Sequence, residues 1–168
     1  YLIAKLKGVD LSTIGSGNYG ATNVYRAMGL FYAILVFVLD AMKGAIPTVI
    51  AMIVFPSPII HLIIGFAAII GHTFSLFLGF KGGKGVATTA GVFFVLVPQS
   101  MLITMGIALV ILFSFRYVSL ASIVSAVVLP ILTYYFNEPT SIVSALVIVS
   151  FFIIIKHRMN IRRLLSGT

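Results

Sequence analysis

The sequence predicts an all-α integral membrane protein, a polytopic helix bundle of about six membrane segments that includes short or broken helices. Three observations lead there. Of the 168 residues, 61% are hydrophobic and 8% are charged, whereas soluble domains carry about 25% charged residues. Mean hydropathy is +1.21. The apolar residues also gather into runs near the ~20 residues that cross a bilayer. Short turns separate these runs, leaving no room for a soluble domain, so residues 1–168 are expected to form a single transmembrane domain.

Eleven Lys and Arg against three Asp and Glu give a net charge of +8. In a membrane protein this excess predicts positive-inside loops and contact with anionic lipid headgroups. A nucleic-acid partner is excluded, because the basic residues sit beside apolar spans instead of lining a solvated face. With no cysteine, disulfides, thiolate nucleophiles and cysteine-based metal sites drop out.

Taken in order, Tyr1-Leu2-Ile3-Ala4-Lys5 reads as the tail of an earlier helix, which predicts a missing N-terminal segment and about seven helices in all. Residues 5–29 read as a polar, glycine-rich loop. Gly15-x-Gly17-x-x-Gly20 matches a dinucleotide fingerprint only as a string, since no strand precedes it. Ser16, Asn18, Thr22 and Asn23 instead supply hydrogen-bonding groups ahead of Arg26, whose planar fork suits phosphate oxygens. Leu30 to Phe55 spans and carries Asp40 and Lys43, three apart and able to pair on one helix face. Gly44 and Pro47 predict a kink there. Ile59 to Phe80 is the second span, with His61 at its outer end and His72 deeper.

Topology turns on residues 86–115. One crossing would put Lys156, Arg158, Arg162 and Arg163 on the side opposite Lys81 and Lys84, against the positive-inside rule. Dividing the stretch at Pro98 places Arg26, Lys81, Lys84, Arg116 and the terminal basic cluster on one face. The piece 86–97 is then too short for a straight span and is expected to be thin, tilted or re-entrant. Tyr117 to Phe136, with Pro130 as a second kink site, and Thr140 to Ile155 complete the bundle. Ser119, Ser122, Ser125, Ser141 and Ser144 read as helix-packing residues. In the tail, His157 and Asn160 share a face with the arginines turned outward.

Three basic stretches rich in glycine or amide side chains, 15–26, 79–89 and 156–163, therefore gather on one membrane face. Cations and neutral donors dominate them, so the site wants anions, above all phosphate. It is not a Walker loop: Gly85 follows Lys84, and Leu78 stands where the first glycine belongs. A histidine with aspartate five positions on is also absent, since Phe77 follows His72 and Arg162 follows His157. Neither a metal site nor a cofactor is expected. An enzyme built this way works by positioning and charge stabilisation on an activated substrate such as an acyl phosphate. Its rivals are a phosphate or organophosphate transporter, weakened by the lack of two matching halves, and a non-catalytic lipid-binding subunit.

Three stretches, Gly15-Ser-Gly-Asn-Tyr-Gly-Ala-Thr-Asn-Val-Tyr-Arg26, Gly71-His-Thr-Phe-Ser-Leu-Phe-Leu-Gly-Phe-Lys-Gly-Gly-Lys-Gly-Val-Ala-Thr88 and His157-Arg-Met-Asn-Ile-Arg-Arg-Leu164-Leu165, closely resemble the signature motifs of the bacterial acyl-phosphate:glycerol-3-phosphate acyltransferases, the PlsY family. The resemblance implies a multi-pass enzyme of the bacterial cytoplasmic membrane with its site facing the cytoplasm. It implies acyl transfer from acyl phosphate to the 1-hydroxyl of glycerol 3-phosphate, giving lysophosphatidic acid and phosphate, by a chain expected to be monomeric. Carried over, Ser16, Arg26, His157 and Asn160 take catalytic roles. Substrate binding falls to Gly17, Asn18, Thr22, Asn23, His72, Lys81, Gly82, Gly83, Lys84, Gly85 and Thr88. The proton acceptor stays open among His157, His72 and a substrate phosphate. The family's first helix and a glutamate expected soon after Gly167 are absent from the 168 residues.

Overall fold

The computed structural model describes residues 1–167, and these residues form helices and no strand. α1 is Leu2–Leu6, α2 Ala21–Met28, α3 Leu30–Val54 and α4 Pro58–Thr73. A 3-10 turn, Leu76–Leu78, precedes α5, Val86–Leu96. Then come α6, Pro98–Phe115, α7, Val118–Tyr135, α8, Thr140–Lys156, and α9, Arg158–Leu165. All six expected segments are present, and the break falls at Pro98, which opens α6. By length and apolarity four helical stretches can cross a membrane, or five when α8 and α9 are joined across a 60° bend. The sixth, α5, has 11 residues and rises only about 16 Å at 1.5 Å per residue.

Close packing of small residues holds this short helix in place. A Cβ at Gly44 would run into the Thr88 carbonyl oxygen, and one at Gly91 into the Ala41 carbonyl oxygen. The α3 and α5 backbones thus touch, as small residues permit in membrane helix pairs. α3 runs as one helix from Leu30 to Val54 through Gly44 and Pro47, and Gly44 also serves close approach. α7 likewise continues through Pro130. A proline there cannot donate to the carbonyl four residues back, and the Ser150 hydroxyl of α8 donates to that Ala126 oxygen at 2.5 Å.

Two apolar clusters result. Leu62, Ile69, Phe93, Leu129, Leu146 and Ile153 belong to the main core, where α4 to α8 meet. A smaller one, Ala4, Leu11, Val24 and Val36, fastens the chain before α2 onto α3. The second matters for function because it fixes the first basic stretch at the same end of the bundle as the other two.

Candidate functional site

The first stretch is a loop followed by a helix, not a loop throughout. Gly15 and Gly17 sit at φ +57° and +65°, a region glycine enters without steric cost. The Asn18 side chain accepts the Gly20 N–H at 2.9 Å and so shapes the entry to α2. Asn23 is 1% exposed. Its amide donates to the Leu11 and Ile14 carbonyls at 3.0 and 2.9 Å and accepts the Ser16 N–H at 3.1 Å. Asn23 therefore builds the loop from within, while Ser16, Thr22 and Arg26 are exposed. A Cβ on Gly15 would lie 3.1 Å from Arg26 Cδ and 3.4 Å from Nη1, which puts the guanidinium over the backbone next to Ser16.

The glycine and lysine loop rests on the end of α4. Gly82 N–H donates to the Thr73 carbonyl at 3.1 Å. A Cβ on Gly82 would collide with the His72 carbonyl oxygen, and one on Gly83 with His72 Nε2. Gly85 takes φ +83° and caps α5, whose first turn has no side-chain cap. That helix start presents unused backbone N–H groups beside Lys84, an arrangement suited to an anion.

The third stretch closes the site. His157 stands at the bend between α8 and α9, 3% exposed, and its Nδ1–H donates to the Ile153 carbonyl at 2.8 Å. In the neutral ring Nε2 then keeps a lone pair. Burial, with the Lys84 charge adding to it, lowers His157 to about 4. Lys84 Nζ donates to Asn160 Oδ1 at 2.5 Å, across 76 residues of sequence. Burial and then the charges of Arg26 and Arg163 pull Lys84 down to about 8.

Arg26, Lys84, His157, Asn160 and Arg163 thus share one electrostatic environment. Arg163 corrects the expectation that the tail arginines turn away from the site. Its position three residues after Asn160, on one helix face, is the signal that identifies it. Lys81 is exposed and, among the described residues, forms no side-chain hydrogen bond or ion pair with this group. His72 lies between the loop and α3: its Nε2 is against Gly83, its Nδ1 lies 3.6 Å from Asp40 Oδ1, and Asp40 pairs with Lys43 at 2.7 Å as the spacing predicts. Thr88 is fully buried, its hydroxyl without a hydrogen-bond partner.

The profile described as glycerol-3-phosphate acyltransferase matches residues 1–167. The glycerol-3-phosphate acyltransferase of Geotalea daltonii is 46% identical over 167 residues, covering 99% of this chain and 86% of that protein. The enzyme of the same name from Aquifex aeolicus is 45% identical, covering 99% and 87%. Among solved structures, PlsY (YgiH), described as an integral membrane glycerol 3-phosphate acyltransferase, superposes in its glycerol 3-phosphate form. The TM-score is 0.95 at 45% identity, over 99% of this chain and 84% of that one. Its lysophosphatidic acid form gives a TM-score of 0.92 at 44% identity, over 99% and 83%.

Proposed function

The chain belongs to the glycerol-3-phosphate acyltransferase family, and from that premise we propose that its basic end transfers an acyl group from acyl phosphate to the 1-hydroxyl of glycerol 3-phosphate, on the cytoplasmic side of a bacterial inner membrane. One observation carries the assignment of residues: the Lys84 to Asn160 hydrogen bond joins the glycine loop to the terminal helix, with Arg26 and Arg163 close enough to act on Lys84.

Arg26, Lys84 and Arg163 neutralise the two phosphates, and the α5 N-terminus with the Ser16 loop offers donors to charge that develops on the acyl oxygen. The hydroxyl oxygen attacks the acyl carbonyl carbon. The new ester C–O bond forms as the C–O bond to phosphate breaks, and lysophosphatidic acid and inorganic phosphate leave. Nothing is oxidised or reduced.

The hydroxyl proton goes to the departing phosphate. A phosphate group with a second pKa near 6 is a stronger base than an imidazole lowered to about 4. His157, neutral at physiological pH, accepts a hydrogen bond from the hydroxyl at Nε2 and aims it, a positional contribution. His72, set between Asp40 and Gly83, supports the loop instead.

Purified protein in detergent, given palmitoyl phosphate and glycerol 3-phosphate, is expected to release lysophosphatidic acid and phosphate in equal amounts. Glycerol 3-phosphate flux into proteoliposomes without any lysophosphatidic acid would overturn the reading in favour of transport.

A further inference from the structure

One buried acid takes no part in the chemistry described so far. Asp40 is 6% exposed and sits in a membrane segment, where a carboxylate is costly and is kept against a partner. Lys43 reaches its Oδ1 at 2.7 Å, yet the lysine side chain is 61% exposed, and an ion pair with so open a partner contributes little. The same oxygen faces His72 Nδ1 across 3.6 Å, and there both side chains are shielded, 10% and 8% exposed.

The far end of the His72 ring meets the glycine loop. A Cβ on Gly83 would collide with Nε2 and would stand 3.0 and 3.3 Å from Cε1 and Cδ2, so the tip of the imidazole points at the Gly83 α-carbon. Lys84, next in the chain, donates to Asn160 of α9. A continuous line of contacts thus runs from α3 through α4 into the loop that presents Lys84.

What the loop feels depends on where the ring carries its proton. A neutral imidazole has one N–H and one lone pair. With the proton on Nδ1, toward the carboxylate, Nε2 turns its lone pair to the Gly83 Cα–H, a weak but attractive contact. With the proton on Nε2, an N–H is driven against that C–H, while the Nδ1 lone pair faces a negative oxygen. Both contacts are then repulsive. A separation of 3.6 Å is too long for a good hydrogen bond, but in a low-dielectric bundle the field of the carboxylate still favours a proton on the near nitrogen. Histidine tautomers are commonly set by the partner of the other nitrogen in this way.

We propose that Asp40 is a positioning residue for acyl transfer: it fixes the His72 tautomer, and His72 in turn holds Gly83, and with it Lys84, where the lysine meets phosphate. The proposal rests on the acyl-phosphate reading above.

Asp40→Asn keeps the shape of the side chain and removes the charge that selects the tautomer. At saturating acyl phosphate it is expected to lower kcat/KM for glycerol 3-phosphate, per folded molecule, by about tenfold, the low end of the loss seen when a partner that orients a metal-bound histidine is removed. Lys43→Gln, which breaks the ion pair but leaves Asp40 facing His72, should stay within about twofold of the unaltered protein. In a His72→Ala background Asp40→Asn should cost nothing more, a non-additivity that an independent structural role would not produce. Nitrogen-15 NMR of histidine-labelled protein in detergent reads the tautomer without any turnover. There are three histidines, and His61→Gln and His72→Gln assign the signals. His72 should carry its proton on Nδ1 and shift toward Nε2 in Asp40→Asn. Should that variant fail to fold, the tautomer in the unaltered protein still decides. A proton on His72 Nε2 in the unaltered protein, unchanged kcat/KM in Asp40→Asn, or an equal loss with and without His72 would each overturn the positioning role alone. Unaltered protein that makes no lysophosphatidic acid from any acyl phosphate would overturn the acyl-phosphate reading, and the tautomer measurement keeps the two failures apart.

Discussion

Gly82→Ala tests whether the glycine loop is held in register by its contact with α4. Gly82 has an ordinary backbone angle, so no conformational strain enters; the effect is one of space alone. A methyl carbon there would stand against the His72 carbonyl oxygen and 2.9 and 3.0 Å from the oxygen and carbon of the Thr73 carbonyl. These are backbone atoms of the last turn of α4 and cannot swing aside as a side chain would. Ordinary contact lies at about 3.5 to 4.0 Å, so the loop must lift by on the order of 1 Å, taking Lys84 with it. A displacement of that size at a reacting centre costs about a hundredfold in rate, or about 2.7 kcal/mol at 1.36 kcal/mol per tenfold. The assay is kcat/KM for glycerol 3-phosphate at saturating acyl phosphate, with thermal unfolding measured alongside. Gly71→Ala is the control, because nothing lies within 4 Å of a Cβ at that position. Unchanged kcat/KM in Gly82→Ala would refute the claim that this contact places Lys84.

Other perturbations probe separate parts of the argument. Lys84 must be protonated to hold phosphate, and its free-state value of about 8 means that kcat/KM for glycerol 3-phosphate should fall as pH rises through about 8. Lys84→Arg should remove that limb from a pH profile taken up to about 10, since arginine stays charged, and Arg163→Ala should move it upward. Ser150→Ala strips the Ala126 carbonyl of its hydroxyl partner and is expected to destabilise by about 1 to 3 kcal/mol. In a Pro130→Ala background the helix supplies its own N–H, so a double-mutant cycle by thermal unfolding should show coupling of about 0.5 kcal/mol or more. Asn23→Ala leaves two carbonyls and the Ser16 N–H without their amide partner. It should lower stability by roughly 2 to 5 kcal/mol, and melting temperature together with activity per folded molecule would register it.

Much of the architecture follows from the sequence alone. Membrane segments are read from apolar length because an unpaired backbone cannot face lipid, and the side on which the basic stretches gather follows from charge. Pro98 divides residues 86–115 as the charge count requires. Asp40 and Lys43 pair because three residues bring them to one helix face. The chemistry of the local motifs drew attention to Ser16, Arg26, Lys84, His157 and Asn160, and the roles expected of them came from the family resemblance.

Contacts between segments were decided only by the fold. Asn23, one more polar residue in the stretch 15–26, proves to be the internal brace of the loop, because burial and three carbonyl and amide partners depend on how the chain before α2 folds back. Gly44 lies against a helix 44 residues further on, and Ser150 answers the proline of a neighbouring helix. Arg163 joins the site once α9 bends by 60° from α8. Hydropathy and spacing report how a residue relates to solvent and to its own helix. Which side chain meets which across the bundle depends on packing between elements distant in sequence, and that information appears only in the tertiary structure.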